Sequence, residues 1–130
     1  MCRVIVLDDD KIQLFIIKKI LGKSGRFNDT LYTDDGKKVL DFLIKHISEE
    51  AVLPQLLFLD LNMPILNGWE FLNRLALVYD DLKRPLAVYI LSSSIDPRDI
   101  KRSHKYNFIK SYLIKPVSVK TMEDIIKDVE

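Results

Sequence analysis

Residues 57–68 read "LFLDLNMPILNG". With the preceding leucine, the apolar residues Leu56 to Leu59 lead straight into Asp60. An asparagine, a proline and an Asn-Gly pair, which reads as a turn, follow at once. The continuous apolar character of "QLLFLD" (55–60) marks a strand buried on both faces, as in a parallel sheet covered by helices. A carboxylate at the end of such a strand is costly unless it is paired, metal-bound or open to water. Asp60 is therefore a candidate functional group, and its strand is the anchor for reading the rest of the chain.

Outward from this strand, short apolar runs alternate with helix-period segments. "RVIVL" (3–7) is a first strand rich in β-branched residues. A helix over 11–24 follows, burying Ile12, Ile16 and Ile20, with Phe15 and Leu21 beside them and Gly25 at its stop. "DTLYT" (29–33) is a weaker second strand. Asp34 or Asp35 caps a second helix carrying Val39, Leu40, Leu43 and Ile47. After the Asn-Gly pair, Trp69, Leu72, Leu75, Ala76 and Tyr79 mark a third helix. "LAVYIL" (86–91) is a fourth strand, and "DPRDIKRSHKYN" (96–107) opens a polar fourth helix with Asp96 at the cap and Pro97 at the first helical position. "SYLI" (111–114) is a fifth strand, and Ser118 caps a last helix with Met122, Ile125, Ile126 and Val129. Five β-α units in succession predict an α/β fold: a doubly wound, five-stranded parallel sheet with helices on both faces and right-handed crossovers.

Composition sets the outer bounds. The 130 residues suit one domain, 1–130, and at 48% hydrophobic they supply a core. The 20 basic and 19 acidic residues leave a net charge of +1, which argues against a dedicated nucleic-acid binder without excluding a local basic patch. Cys2 is the single cysteine; it makes no internal disulfide, fits a reducing compartment, and reads as a small apolar residue near strand one. "MCRVIVLDDD" turns acidic too early for a signal peptide, and no apolar run approaches the ~20 residues of a membrane span. A soluble, cytoplasmic single domain is expected.

Ligands of such sheets bind at the carboxyl ends of the strands. There the sequence places Asp8, Asp9 and Asp10 after strand one, Asp60 after strand three, Ser92, Ser93 and Ser94 after strand four, and Lys115 followed by Pro116 after strand five. If strand one lies between strands two and three, the ends of strands one, three, four and five adjoin. Clustered carboxylates repel one another unless a cation sits among them. Mg²⁺ suits the set, since it takes one or two carboxylates together with water and phosphate oxygens. A carboxylate beside it can act as a nucleophile and form an aspartyl-phosphate. Lys115, the Ser92 hydroxyl and the backbone N–H groups after strand four would hold the remaining phosphate oxygens.

With these residues in place, the chain resembles the receiver domain of bacterial two-component response regulators over essentially its whole length. The carrying motifs are "LDDD" (7–10), "FLDLNMPILNG" (58–68), "ILSSS" (90–94) and "IKP" (114–116). Each is weak alone; the four in order, at strand ends, are specific. The resemblance implies the flavodoxin-like strand order 2-1-3-4-5. It implies that Asp60 accepts a phosphoryl group from a histidine kinase or histidine phosphotransfer protein. Asp9 and Asp60 would hold Mg²⁺ directly, Asp8 through water and Asn62 by its backbone carbonyl. Lys115 would pair with the phosphate, with a bond to Pro116 that is often cis in the family. Ser92 and Tyr112 would be the switch pair that carries the change to the face of strand four, helix four and strand five. The family often dimerises through its helix 4–strand 5–helix 5 face, so a homodimer is one expected assembly. No output domain follows in the sequence, so the signal is expected to pass to a separate protein target, with no nucleic acid bound directly, no membrane contact and no metabolic activity beyond autocatalysed phosphotransfer and slow dephosphorylation.

Plainer readings stand beside these. Asp10 caps the first helix. Ser93 and Ser94 shape their loop, Ser94 with a second reading as a tuner of phosphate lifetime. Tyr112 also reads as an ordinary strand aromatic. His46 and His104 are surface helix residues, Trp69 and Met63 packing residues, and "DPRDIKRSHK" a solvated helix face with partner docking as its alternative. Ser92 lacks the methyl of the family's commoner threonine, which would limit its rotamers. Two rival functions differ in class. Haloacid-dehalogenase-type phosphatases also carry a strand-one "DxD", with Asp8 then the nucleophile and Asp10 the acid/base; Ile12 stands where that family prefers Thr or Val, and its late acidic motif is missing. A receiver-like binding module that takes no phosphate is the other.

Overall fold

A computed structural model describes residues 4–24, 29–63 and 66–129. Cys2, Gly25 and Pro64 lie outside the described residues, as does the side chain of Val129. The elements run β1 (Val4–Leu7), α1 (Lys11–Ser24), β2 (Thr30–Thr33), α2 (Gly36–Lys45), β3 (Leu56–Asp60), α3 (Gly68–Val78), a 3₁₀ turn (Tyr79–Asp81), β4 (Ala87–Ser92), α4 (Pro97–Ser103), β5 (Ile109–Ile114) and α5 (Val119–Val129). The five strands are parallel in the order β2-β1-β3-β4-β5. The predicted sheet and its order are therefore what the chain forms.

Period-two alternation divides the core into two layers. Ile5, Leu7, Leu57, Leu59, Val88 and Ile90 face one side, against Val39, Leu40 and Leu43 of α2 and Phe71, Leu72 and Leu75 of α3. Val4, Val6, Leu56, Phe58, Tyr89 and Leu91 face the other, against Ile17, Ile20 and Leu21 of α1 and Met122, Ile125 and Ile126 of α5. Burial on both faces is why β1 and β3 read as unbroken apolar runs. The caps are local chemistry: Asp35 accepts from the Lys38 N–H, Asp96 from Arg98 and Ser118 from Thr121.

Several sequence readings need correction, and Ile47, expected on the second helix, lies beyond the end of α2 at Lys45. In α1 the buried row is Gln13, Ile17, Ile20 and Leu21, whereas Ile12 is 75% and Phe15 59% exposed and Ile16 is half-buried. Apolar residues stand on most sides of this helix, and the one polar residue in the buried row masked its phase. In α3 the buried set is Phe71, Leu72 and Leu75; Ala76 is exposed, and Tyr79 belongs to the 3₁₀ turn, its hydroxyl bonded to the Leu86 carbonyl and N–H. Asn67-Gly68 is not a turn but a helix start: Asn67 is the cap of α3, accepting from the Glu70 N–H, and Gly68 is its first residue. Helix α4 ends at Ser103, well short of residue 107, and β5 starts two residues earlier than "SYLI".

Gln13 is 3% exposed, and its Nε2 has no hydrogen-bond partner among the described residues. A buried amide N–H₂ left without a partner carries its desolvation penalty. Gln13→Met keeps the volume and removes the polar atoms. It is expected to raise stability by about 1 kcal/mol, read as a higher urea midpoint at unchanged slope; a lower midpoint would show that the amide has a partner it depends on.

Candidate functional site

The carboxyl edge of the sheet is fixed by backbone bonds that run one residue past the strands. The Asp8 N–H donates to the Thr33 carbonyl at 3.0 Å and the Lys115 N–H to the Ser92 carbonyl at 2.8 Å. These bonds set Asp8 beside β2 and Lys115 beside β4, and the register places Asp60 opposite Leu91, next to Ser92. Asp8 and Ser92 are fully buried and Asp60 is 3% exposed. The Lys115–Pro116 bond is cis.

Lys115 reaches into the acids. Its Nζ lies 3.2 Å from Asp8 Oδ1 and 3.1 Å from Asp8 Oδ2, 3.5 Å from Asp60 Oδ2 and 3.8 Å from Asp10 Oδ2. Asp8 Oδ1 also accepts the Asp10 N–H at 2.8 Å, which bends the chain into α1. Asp10 Oδ1 in turn accepts the N–H groups of Ile12 and Gln13 at 3.0 and 3.2 Å. Asp10 thus caps the helix as expected, and its other oxygen faces the ammonium, a second task that the sequence did not reveal. Asp60 Oδ1 accepts the Asn62 N–H at 3.1 Å.

Carboxylate oxygens of Asp8, Asp9 and Asp60 lie within 4.8 Å of one another, the one such group of three potential ligands among the described residues. Asp9 is exposed as a residue, but its carboxylate faces this cluster. Asp8 Oδ2 is buried and makes no hydrogen bond, its short approach to Lys115 lacking the angle for one. A buried carboxylate oxygen that makes no hydrogen bond, within a set of hard oxygen donors, fits a hard divalent cation. The titration behaviour agrees. Burial pushes the Asp60 carboxyl above the ordinary aspartate range and Asp8 adds to it, against the Asn62 N–H, which lowers it. Burial likewise raises Asp9, and its hydrogen bond to Asp60 and the charge of that residue raise it further. For Lys115, burial opposes the charge, but Asp8, Asp60 and Asp10 outweigh it and hold the ammonium above its usual value.

Beside the cluster lies a cleft of about 420 Å³ lined by Asp9, Leu61, Asn62, Met63, Asn67 and Trp69. Two of its lining residues, Asn67 and Trp69, flank Gly68, which packs closely on Leu61. A Cβ on Gly68 would stand 2.6 Å from Leu61 Cα and 2.8 Å from the Asp60 carbonyl oxygen, while the Gly68 N–H donates to the Leu61 carbonyl at 3.0 Å. The sequence reading missed this close approach; the glycine directly after a helix cap was its only signal. Trp69, read as packing, lines the cleft and carries the Arg102 guanidinium 4.4 Å above its ring. Arg102 makes that contact while remaining exposed, as expected of "DPRDIKRSHK".

The structure brings Asp8, Asp9, Asp60 and Lys115 into one group, with Asn62 exposed at the cleft. Ser92 Oγ accepts the Ser94 N–H at 3.0 Å, and the half-buried Tyr112 donates its hydroxyl to the Ser94 carbonyl at 3.0 Å. His104 is exposed at the end of α4, and His46 contacts Glu49 at the end of α2, both away from the acids.

Known proteins share this arrangement of strands. The family model of the response regulator receiver domain matches residues 4–127. The chain belongs to the receiver-domain family of two-component response regulators, a class of phosphorylation-dependent signalling switches and not of metabolic enzymes. Among relatives, the probable methanogenesis regulatory protein FilR2 of Methanothrix harundinacea is 26% identical over 127 residues, which is 98% of this chain and 80% of that protein. The transcriptional regulatory protein HptR of Staphylococcus aureus is 28% identical over 97% of this chain, which spans only 45% of HptR. The crystal structure of a two-component response regulator from Cytophaga hutchinsonii superposes with a TM-score of 0.83 at 26% identity, covering 99% of this chain and 96% of the other. No helix among the described residues is long and apolar enough to cross a membrane.

Two measurements test the site. Gly68→Ala is expected to destabilise by about 1–3 kcal/mol, because backbone must move to admit the methyl, while Gly22→Ala, with nothing within 4 Å of its Cβ, is expected to stabilise by about 0.5–1 kcal/mol as a plain helix substitution. Thermal melts of the two variants should move in opposite directions. Separately, Mg²⁺ should raise the melting temperature at about pH 8 and do so progressively less toward about pH 5. The sign follows from Asp9 and Asp60: their raised carboxyls take up protons earlier on acidification than ordinary aspartates, and the metal must displace those protons.

Proposed function

We propose that the whole chain is a single receiver domain in which Asp60 is the phosphoacceptor, and that it relays signals in the cytoplasm from a histidine kinase or histidine phosphotransfer protein to a protein target. The observation that carries this reading is the setting of Asp60. Its buried carboxylate ends the central strand 3.5 Å from Lys115 and shares a cluster with Asp8 and Asp9. An Asp60 oxygen attacks phosphorus in line, the bond from phosphorus to the donor's imidazole nitrogen breaks with its electron pair staying on nitrogen, and an acyl phosphate forms. Lys115 balances the added charge, and Ser92 donates its hydroxyl to a phosphoryl oxygen. Asp9, Asp60 and the Asn62 carbonyl would hold Mg²⁺ directly and Asp8 through water; when bound, the ion neutralises charge on the carboxylates and the transferred group. Slow hydrolysis of the acyl phosphate resets the switch. Movement of Ser92 and Tyr112 repacks the face of β4, α4 and β5, shifting an equilibrium between two conformations that a partner or a second copy of the chain reads.

The phosphatase alternative makes Asp8 the nucleophile. Against it stands the position of Asp8, wholly buried and committed to Lys115 and the Asp10 N–H. Intact mass after incubation with Mg²⁺ and acetyl phosphate separates the readings. The parent is expected to gain one phosphoryl group and Asp60→Asn none; phosphate gained equally by both would remove Asp60 from the mechanism.

A further inference from the structure

Ser94 uses every polar group it has. Its N–H donates to Ser92 Oγ at 3.0 Å, and its carbonyl accepts the Tyr112 hydroxyl at 3.0 Å. Its own hydroxyl oxygen accepts the Asp96 N–H at 3.2 Å and donates to Asp99 Oδ2 at 2.7 Å. That last bond is charge-assisted, so it is the strong member of the set. It joins the loop after β4 to the first turn of α4, where the Asp99 backbone is itself held by its N–H bond to the Asp96 carbonyl at 3.0 Å. The neighbours Ser93 and Ile95 are exposed and add no burial to hold this loop.

The chemistry at Ser92 gives the arrangement a purpose. A serine hydroxyl has no β-methyl to restrict it and rotates among three wells. When one of its lone pairs accepts a fixed N–H, the hydrogen is turned away and the group becomes an aimed donor. The fixed N–H here is that of Ser94, and Ser94 is fixed by Asp99.

We propose that Asp99 is a positioning residue for the phosphoryl site: through the Ser94 hydroxyl it sets the Ser92 hydroxyl and the Tyr112 hydroxyl together and ties the first turn of α4 to them. The inference rests on Asp60 being the acceptor. Asp99 touches neither the phosphoryl group nor the acidic cluster, and its effect is to order the donor loop before the phosphoryl group arrives, so that the entropy of ordering is not charged to the transfer step.

The test compares parent, Asp99→Ala, Asp99→Asn, Ser94→Ala and the Ser94→Ala/Asp99→Ala double variant. Phosphorylation by acetyl phosphate is followed by intact mass, with Asp60→Asn as the blank. Asp99→Ala and Ser94→Ala are expected to slow it on the order of fivefold, and the double variant to be no slower than either single one. Asp99→Asn is expected to stay near the parent, because its amide oxygen still accepts the Ser94 O–H. Mg²⁺ affinity is expected to be equal in all. Parent-like rates in Asp99→Ala, or effects that add in the double variant, overturn the proposal. If the parent itself takes no phosphoryl group, the reading of Asp60 fails, and hydrogen exchange decides the latch separately. The Ser94 and Asp96 amides should exchange faster in Asp99→Ala than in parent or Asp99→Asn, and equal exchange overturns it.

Discussion

The ion pair between Asp8 and Lys115 is the constraint on which the site depends. The two residues are 107 apart in sequence, and they follow strands that are not neighbours, since β3 and β4 lie between β1 and β5. The pair therefore spans the carboxyl edge of the sheet over the ends of the two middle strands, which carry Asp60 and Ser92. Two charges withdrawn from water seldom repay their desolvation by attraction alone. What they do here is hold a cation at one fixed point among Asp8, Asp10 and Asp60. Without that cation the acids would repel one another across the β1–α1 connection, which the Asp8 and Asp10 side chains otherwise hold through backbone N–H groups.

The rest of the fold serves this edge by leaving it little freedom. Strands buried on both faces cannot slip by one residue without turning every side chain into the wrong layer, so the register that sets Asp60 beside Ser92 is held by the core itself. The β3–α3 connection is pinned by Gly68 against Leu61 and by the Asn67 cap. On the far side the β4–α4 connection is pinned by polar bonds through Ser94, with little burial. The two walls of the site thus differ in kind: one is held by steric fit, the other by hydrogen bonds that can be exchanged for others. A wall of the second kind is the one suited to rearrangement.

Strand content and the four charged residues of the site were legible because each leaves a local mark, whereas strand order came from the family resemblance of the motifs. Buried strands read as apolar runs, and Asp8, Asp9 and Asp60 stand at the ends of two of them, while Lys115 follows the half-exposed β5 and is marked by the proline after it. The phase of α1 was not legible, because a helix apolar on most sides offers no single stripe and the buried row contains Gln13. The role of Gly68 was hidden because close backbone approach depends on a neighbour seven residues back, not on composition. Asp10 and Asp99 were hidden for a related reason. A carboxylate near a helix start reads as a cap or a solvated charge, and only the packed structure shows that one oxygen of Asp10 faces Lys115 and one of Asp99 faces Ser94.

Trp69 is the single tryptophan of the chain, and its position makes the molecule its own optical gauge. The indole borders the cleft beside the acids on one side and bears the guanidinium of Arg102, from α4, over its face. Emission from an indole responds to charge and water near the ring. A displacement of α4 that lifts Arg102 away, or a cation arriving among the acids nearby, alters that surrounding field. Events at the acidic edge and events at α4 therefore reach one chromophore, readable in solution without any label.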